Sequence, residues 1–312
     1  MRIGYFADGY WGLPTLHKLI ANKNIHIVFL ASRYHGSNYL LDPIAEKAQI
    51  PILRLEDINS KKSLSIFAKY QPDVLLSMSF LDKFHQNLLT LAPFGSYNAH
   101  ASLLPEYRGR NCINWAIIKG EVTTGVTIHK MDLNYDTGPI AYQKSLMIDQ
   151  NEHFASILKR MGELCANAIE SWLQKDQFIK PLIAQSTHLK TDYRKRGPGD
   201  EWVDWNQNAK SIHNFIRGIS DPGPYAHTHI KNDIYIIKDS RWVSSDEYKN
   251  QLHENNHISA LPGEIISAHD NHLWVQTQQD ILKIRKIALN DKKTENSSLS
   301  LSNILGSRFE NH

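Results

Sequence analysis

The 312-residue sequence contains only two cysteines, Cys112 and Cys165. Two isolated thiols build no disulfide framework and match no metal-ligand spacing, which excludes a stapled secreted scaffold and a zinc-ribbon module. Cys112 reads as a small buried thiol. Long apolar runs are also missing, and none approaches the ~20 residues that cross a bilayer as a helix. The opening Met1-Arg2-Ile3-Gly4-Tyr5-Phe6 reads as a buried strand that begins at once, not as a signal peptide. Both features lead to the expectation of a cytoplasmic protein. Nor is there an excess of charge of one sign: 35 basic and 32 acidic residues leave a formal net charge of +3. Dedicated nucleic-acid binders carry a stronger basic bias. The one uninterrupted basic triplet, Arg194-Lys195-Arg196 beside Gly197-Pro198-Gly199, reads either as a solvated loop or as a contact for a phosphate-bearing substrate.

Several motifs are absent as well. Gly9 and Gly12 do not form a dinucleotide fingerprint, and no phosphate-binding lysine motif occurs. That leaves little support for a nucleotide-dependent oxidoreductase or a kinase. The sixteen histidines are scattered without metalloprotease spacing, so no metal is expected. No strained nucleophile elbow is evident, which favours direct transfer chemistry over an acyl-enzyme.

What is present is a soluble, globular composition with a clear rhythm. Strand-like segments at 3–6, 25–31, around 52, 73–77 and 95–98 alternate with helix-like ones at 13–22, 41–48, 60–70 and 84–92. Strands apolar on both faces and separated by helices imply an α/β fold, a Rossmann-like and mainly parallel sheet with helices on both faces. In such sheets ligands sit at the carboxyl ends of the strands. A long amphipathic helix is expected over 152–173, its stripe of Phe154, Ile157, Leu158, Met161, Leu164 and Cys165 belonging to the core. After Pro181 the texture changes to a short helix at 212–219, a strand around Ile234 and Ile236, a polar linker over 244–260, and short strands at 263–267, 273–277 and 281–287. The last part fits a small β-barrel or meander. The expected division is a catalytic domain at 1–185, a connecting region bordering the acceptor site at 186–260, and a small OB-like, β-rich subdomain at 261–312 whose last dozen residues fray.

The stretch richest in chemistry is Asn98-Ala99-His100, which leaves a strand with both polar side chains projecting the same way. It continues through Ser102-Leu103-Leu104-Pro105 and Arg108-Gly109. A second strand, Thr124-Gly125-Val126-Thr127, leads to the turn Asp136-Thr137-Gly138. An amide, an imidazole and a carboxylate at strand ends suit transfer of an acyl group to an amine. Asn98 can donate to a developing oxyanion. His100 can move protons or stabilise that charge. Asp136 can orient the imidazole or hold a proton-relaying water. Residue types alone leave a second reading open, in which these are turn and capping residues.

The order and spacing of these motifs resemble the formyltransferase family that includes methionyl-tRNA formyltransferase and the nucleotide-sugar N-formyltransferases. The resemblance implies that Asn98, His100 and Asp136 are catalytic and that 10-formyltetrahydrofolate supplies the formyl group. It implies that the pterin is held mainly by backbone around Met78, Ser79, Phe80 and Leu81. It extends to Pro262-Gly263-Glu264-Ile265-Ile266 and the later strands.

Three features resemble the sugar branch, and especially the domain that formylates UDP-4-amino-4-deoxy-L-arabinose: Arg108-Gly109-Arg110 with Asn114-Trp115, Tyr193-Arg194-Lys195-Arg196 with Val203-Asp204-Trp205, and His213-Asn214 with Arg217 and Asp221-Pro222-Gly223-Pro224-Tyr225. By this likeness Tyr10, Arg108, Trp115, Arg194, Arg217 and Tyr225 border a UDP- or dTDP-linked amino sugar destined for surface polysaccharide, with Arg194 and Arg217 facing the diphosphate. Asn111-Cys112 departs from the family's small residue and proline. The alternative acceptor, methionyl-tRNA, calls for a basic surface and a reaching loop. Residues 33–38 offer one arginine, and Lys283, Arg285, Lys286, Lys292 and Lys293 of the tail read as solvated strand faces. A catalytically dead module that binds single strands calls for exposed aromatics. The tail offers only Trp274 and Phe309, and a homodimer interface is the other expected use for it.

Overall fold

The computed structural model describes residues 1–35, 39–186, 192–252, 260–269, 271–290 and 304–312. By contacts the chain forms two compact units. The first takes in Met1–Cys112, Thr123–Met147 and Leu158–Lys195; the second takes in Ile113–Val122, Ile148–Ile157 and Arg196–His312.

The first unit begins with β1 (Arg2–Ala7), α1 (Gly12–Ala21), β2 (His26–Ala31), α2 (Asp42–Lys47) and β3 (Ile52–Leu53). It continues with α3 (Lys61–Lys69), β4 (Val74–Met78), α4 (Gln86–Leu89), β5 (Ser96–His100) and the short β6 (Arg108–Gly109). The chain then forms α5 (Cys112–Ile118), which from Ile113 belongs to the second unit. The first unit resumes with β7 (Thr123–Lys130), β8 (Ile140–Met147), α6 (Phe154–Trp172, from Leu158 on), α7 (Lys175–Phe178) and the short β9 (Asp192–Tyr193). Seven strands form one sheet in the order β3-β2-β1-β4-β5-β7-β8. The first five run parallel, and β7 and β8 join antiparallel.

Alternation along β1 explains how the sheet is covered. Phe6 points into an aromatic cluster with Phe29, Phe67 and Phe84, roofed by α3 and α4. Tyr5 points the other way, and its hydroxyl donates to the carbonyl of Gly12 at the start of α1. Gly162 of α6 packs on Pro14 and Trp11. Strands screened on both faces must be apolar on both, and every residue of β4 is buried. β1 neighbours both β2 and β4, so the strand order reverses between β1 and β4. Such a switch point opens a crevice at the carboxyl edge.

The second unit contains α8 (Ala209–Gly218), β10 (Ala226–Ile230), β11 (Asp233–Val243), α9 (Ser245–Leu252), β12 (Ile265–His269), β13 (His272–Gln276) and β14 (Ile281–Leu289). Asn208 caps α8 by accepting from the Ser211 N–H at 2.8 Å. The helix lays Ile212 and Ile216 on a core with Trp205, Ile237, Val275 and Phe309. The strands form one antiparallel sheet in the order β10-β11-β14-β13-β12. A single sheet therefore joins what the sequence suggested as a connecting region and a separate tail.

Two expectations are corrected here. The polar stretch expected as a linker contains α9, whose start is capped by Ser244 Oγ accepting from the Glu247 N–H at 3.1 Å. Its anchor is Tyr248, fully buried against Trp274. Of the last dozen residues, expected to fray, 301–303 fall outside the described residues and 304–312 are held in place. Arg308 bridges Glu264 and Glu310 bridges His229, so the terminal segment spans from the start of β12 to β10 and closes the sheet. Phe309 between them is buried and stacks on Trp205 at 5.0 Å. The approach is close enough that a Cβ on Gly263 would lie 2.3 Å from the Phe309 carbonyl oxygen. Trp274 and Phe309 are thus both core residues. Lys283 lies over the Trp274 ring, Arg285 pairs with Asp239 at 2.8 Å, and Lys292 and Lys293 fall outside the described residues.

Candidate active site

β5 and β7 bring the polar residues together. Their antiparallel register sets Asn98 opposite His129 and His100 opposite Thr127, and opposed residues share a face. Asp136 arrives from the turn between β7 and β8, with φ of 55°, a left-handed conformation that needs outside support. The support is specific. Gln185 donates from Nε2 to the carbonyls of Asp136 at 2.9 Å and Gly138 at 2.7 Å. The Gly109 N–H donates to Asp136 Oδ2 at 3.0 Å. At Gly138 any side chain is excluded, because a Cβ would sit 1.8 Å from the Lys130 carbonyl oxygen.

The loop from β5 is tied down in the same way. Thr127 Oγ1 donates to the Ser102 carbonyl at 2.7 Å and accepts from the Leu104 N–H at 3.0 Å. Gln143 Nε2 donates to the Leu104 carbonyl at 2.8 Å. The Ser-Leu-Leu-Pro and Thr-Gly-Val-Thr motifs are therefore two halves of one buried hydrogen-bond network that delivers His100 and the loop after it.

Asp136 Oδ2 lies 3.5 Å from His100 Nδ1, and Asp136 Oδ1 lies 3.4 Å from His129 Nε2. Asn98 Nδ2 is 3.3 Å from His129 Nε2 and 3.5 Å from Asp136 Oδ1. His100 Nε2 faces the Tyr107 carbonyl at 2.8 Å. Burial by itself would push the His100 pKa down, but the Asp136 charge, the Cys112 thiol and the Tyr107 carbonyl outweigh it and raise it well above its ordinary value. Burial favours the neutral acid at Asp136, yet His100, His129 and the Gly109 N–H hold its carboxyl well below the usual range. The two directions agree on an imidazolium–carboxylate pair. Such a pair supplies a fixed positive charge beside an amide donor, the arrangement that stabilises an oxyanion.

The other residues singled out in the sequence fall in varied surroundings. Met78 is fully buried, with its sulfur 3.2 Å from the Tyr5 hydroxyl, so only its backbone can meet a ligand. Ser79 has φ of 56° and turns the chain at the end of β4, next to Gly9 at the β1–β4 switch point; Leu81 and Tyr10 are exposed there. Phe80 packs edge-on against Phe6, which makes it a core contact.

Arg108 is corrected from substrate contact to scaffold. It is buried, and its Nε and Nη2 donate to Gln185 Oε1 at 3.2 and 2.6 Å, so it orders the glutamine that shapes the Asp136 turn. Arg217 is corrected likewise. Only 2% exposed, it donates to Asn214 Oδ1 at 2.9 Å and to the carbonyls of Asp149 and Glu152 at 3.1 Å, so its donors meet protein acceptors and not a diphosphate. Arg194 is exposed in the first unit. In the second unit Trp115 is half-buried beneath the Arg196 guanidinium at 5.6 Å, and Tyr225, with φ of 63°, lies beneath Lys238.

Two participants went unrecognised in the sequence. His129 sat in view at the end of the Thr-Gly-Val-Thr strand, and its register opposite Asn98 was the signal. Gln185 carries no local signal, because its role comes entirely from the long-range return of the chain after α7. A cavity of about 700 Å³, lined by Met1, Ile25, Phe94, Tyr97 and Phe178, lies at the opposite edge of the sheet, where these strands begin. Chemistry, not volume, marks the site.

Comparison with known proteins bears on the family and the fold. Residues 23–172 match the formyl transferase model, and residues 196–302 match the formyl transferase C-terminal domain model. A curated relative, the bifunctional polymyxin resistance protein ArnA of Wigglesworthia glossinidia brevipalpis, is 30% identical over 251 residues. That match covers 78% of this chain but 38% of the relative, so the chain spans well under half of its length. WlaRD, a sugar 3N-formyl transferase solved in the presence of dTDP and 5-N-formyl-THF, superposes with a TM-score of 0.66 at 17% identity over 94% of this chain and 98% of that one. The N-formyltransferase of Helicobacter canadensis, solved with folinic acid and dTDP-3-aminofucose, gives 0.67 at 16% identity over 92% and 99%. At such identities these structures speak for the fold. With both domain models matched in order along the sequence, the chain belongs to the formyl transferase family.

Proposed function

We propose that this protein transfers a formyl group from 10-formyltetrahydrofolate to the amine of a nucleotide-linked amino sugar. The observation that carries the proposal is the meeting of Asn98 and His100 around the part-buried carboxylate of Asp136. Two solved relatives favour the sugar acceptor: one is a sugar 3N-formyl transferase solved in the presence of dTDP, and the other was solved with dTDP-3-aminofucose. A UDP- or dTDP-linked 4-amino-4-deoxy or 4-amino-4,6-dideoxy sugar is the proposed acceptor, made in the cytoplasm for surface polysaccharide.

The donor fits the carboxyl edge of β1 and β4, where the backbone of Ser79, Phe80 and Leu81 lines the switch-point crevice. Bound there, 10-formyltetrahydrofolate supplies an electrophilic formyl carbon. The unprotonated sugar amine attacks that carbon. His100, already positive, and the Asn98 amide stabilise the negative charge that develops on the formyl oxygen. Asp136 keeps His100 charged and oriented. It also offers a carboxylate through which a water passes the amine's proton towards the departing folate nitrogen. Tyr10 and Arg194 of the first unit are proposed acceptor contacts, an exposed arginine being suited to a diphosphate.

The test is a formyl-transfer assay with 10-formyltetrahydrofolate against UDP-, dTDP- and GDP-linked amino sugars and methionyl-tRNA. Turnover with an amino sugar supports the proposal. Turnover with tRNA alone overturns it.

A further inference from the structure

Two main-chain contacts on the His100–Asp136 pair come from one short segment. The Tyr107 carbonyl lies 2.8 Å from His100 Nε2, and the Gly109 N–H donates to Asp136 Oδ2 at 3.0 Å. Residues 107–109 therefore help to aim both the imidazole and the carboxylate, and they do so in a conformation that does not hold itself. Tyr107 has φ of 57° and Gly109 has φ of 91°, both left-handed. Glycine adopts that region freely, but a tyrosine there costs free energy that its surroundings must return.

Support comes from the last residues of the first unit. β9 pairs in parallel with β6, Arg108 opposite Asp192 and Gly109 opposite Tyr193. The Tyr193 ring lies flat on the ring of buried Tyr107, with centroids 4.9 Å apart and planes 7° from parallel. The main chains approach as closely: a Cβ on Gly109 would lie 2.8 Å from the Tyr193 carbonyl oxygen. One residue thus meets both ends of the segment, Tyr107 by its ring and Gly109 by its backbone. Tyr193 belongs to the Tyr-Arg-Lys-Arg stretch, of which the reaction as described uses only Arg194.

We infer that Tyr193 is a positioning residue for formyl transfer, clamping residues 107–109 so that the Tyr107 carbonyl stays on His100 and the Gly109 amide on Asp136. The inference rests on the formyl-transfer reading of the site. Tyr193 acts through the segment it clamps, and the stack is made by a ring that phenylalanine also has.

The experiment compares the full chain with Tyr193→Phe and Tyr193→Ala, folding at the assay temperature being confirmed by circular dichroism. In Tyr193→Ala, kcat falls by roughly 5- to 30-fold, the effect of loosening one or two hydrogen bonds, while KM for donor and acceptor stays within about twofold. Tyr193→Phe keeps the stack and recovers most of the rate. A wild-type kcat in Tyr193→Ala, a loss seen in KM alone, or a Tyr193→Phe as slow as Tyr193→Ala overturns the inference. Should Tyr193→Ala fail to fold, Tyr193→Leu is read against the same outcomes.

If the wild type turns over no amino sugar, the acceptor reading has failed, and the clamp is read from His100 itself. The imidazole is titrated by NMR in protein without substrates, its resonance assigned by its loss in His100→Gln. The Tyr107 carbonyl is an acceptor that favours the charged ring, so its displacement lowers the midpoint by about one pH unit in Tyr193→Ala and not in Tyr193→Phe. A midpoint unmoved in Tyr193→Ala overturns the clamp.

Discussion

Asp136 and His100 face each other at 3.5 Å, Oδ2 to Nδ1, while the other nitrogen of the same imidazole meets the Tyr107 carbonyl at 2.8 Å. Both neighbours only accept, so the ring is drawn to its doubly protonated form. His100 is accordingly a resident positive charge more than a free base, and the carboxylate is the group left to orient a proton-relaying water.

Asp136→Asn tests that pairing in two ways. It lowers kcat by about 100-fold or more, within the range for a group that stabilises or shuttles charge in the transition state. It also reshapes stability against pH. The folded pKa of His100 lies above its ordinary 6.5, so its share of stability is whole below about pH 6.5 and is lost as pH rises through the raised value. The folded pKa of Asp136 lies below its ordinary 3.8, so its share is present above that and is lost as pH falls through the depressed value. The gap in melting midpoint between wild type and variant is widest from about pH 4 to 6.5 and narrows on either side. A gap independent of pH contradicts the ion pair.

Gln185 and Arg108 act as one device on the Asp136 turn. Arg108→Ala and Gln185→Ala each reduce kcat by about 5- to 30-fold, the worth of one or two hydrogen bonds. Combined, they cost little more than the worse single change. Additive losses in a double-mutant cycle contradict the coupling.

Arg217 holds three protein acceptors within the second unit. Arg217→Ala destabilises the fold by about 2–4 kcal/mol, because the buried side chain of Arg217 is removed with all three of its hydrogen bonds. In the fraction that remains folded, KM for the acceptor is unchanged. A raised KM with an unchanged melting midpoint contradicts the structural role and restores the diphosphate one.

Phe309→Ala removes the plug that stacks on Trp205 beneath the closing segment. Denaturant unfolding shows a loss of about 3–5 kcal/mol, typical of a buried aromatic cut back to alanine. A loss under about 1 kcal/mol contradicts the closure.

Much of this was legible from residue order. β1 and β4 announced themselves as short apolar runs, and Asn98 and His100 shared a face by the period of a strand. The second unit was harder to read. α9 buries one large side chain, Tyr248, and a helix with one anchor has too faint a periodicity to stand out from a polar linker. The terminal segment is polar at all but a few positions, and its order depends on β10 and Gly263, far away in sequence. Arg108 and Arg217 were misplaced because arginines suited to phosphate are equally suited to carbonyls and amides. Only the burial of each decided between the two.

The most direct test of the account is single-turnover formyl transfer by Asn98→Ala, His100→Ala and Asp136→Ala beside the wild type, with folding at the assay temperature confirmed by circular dichroism. The account predicts formylated amino sugar from the wild type and a rate lower by two orders of magnitude or more in each variant. Near-normal rates in all three would contradict it.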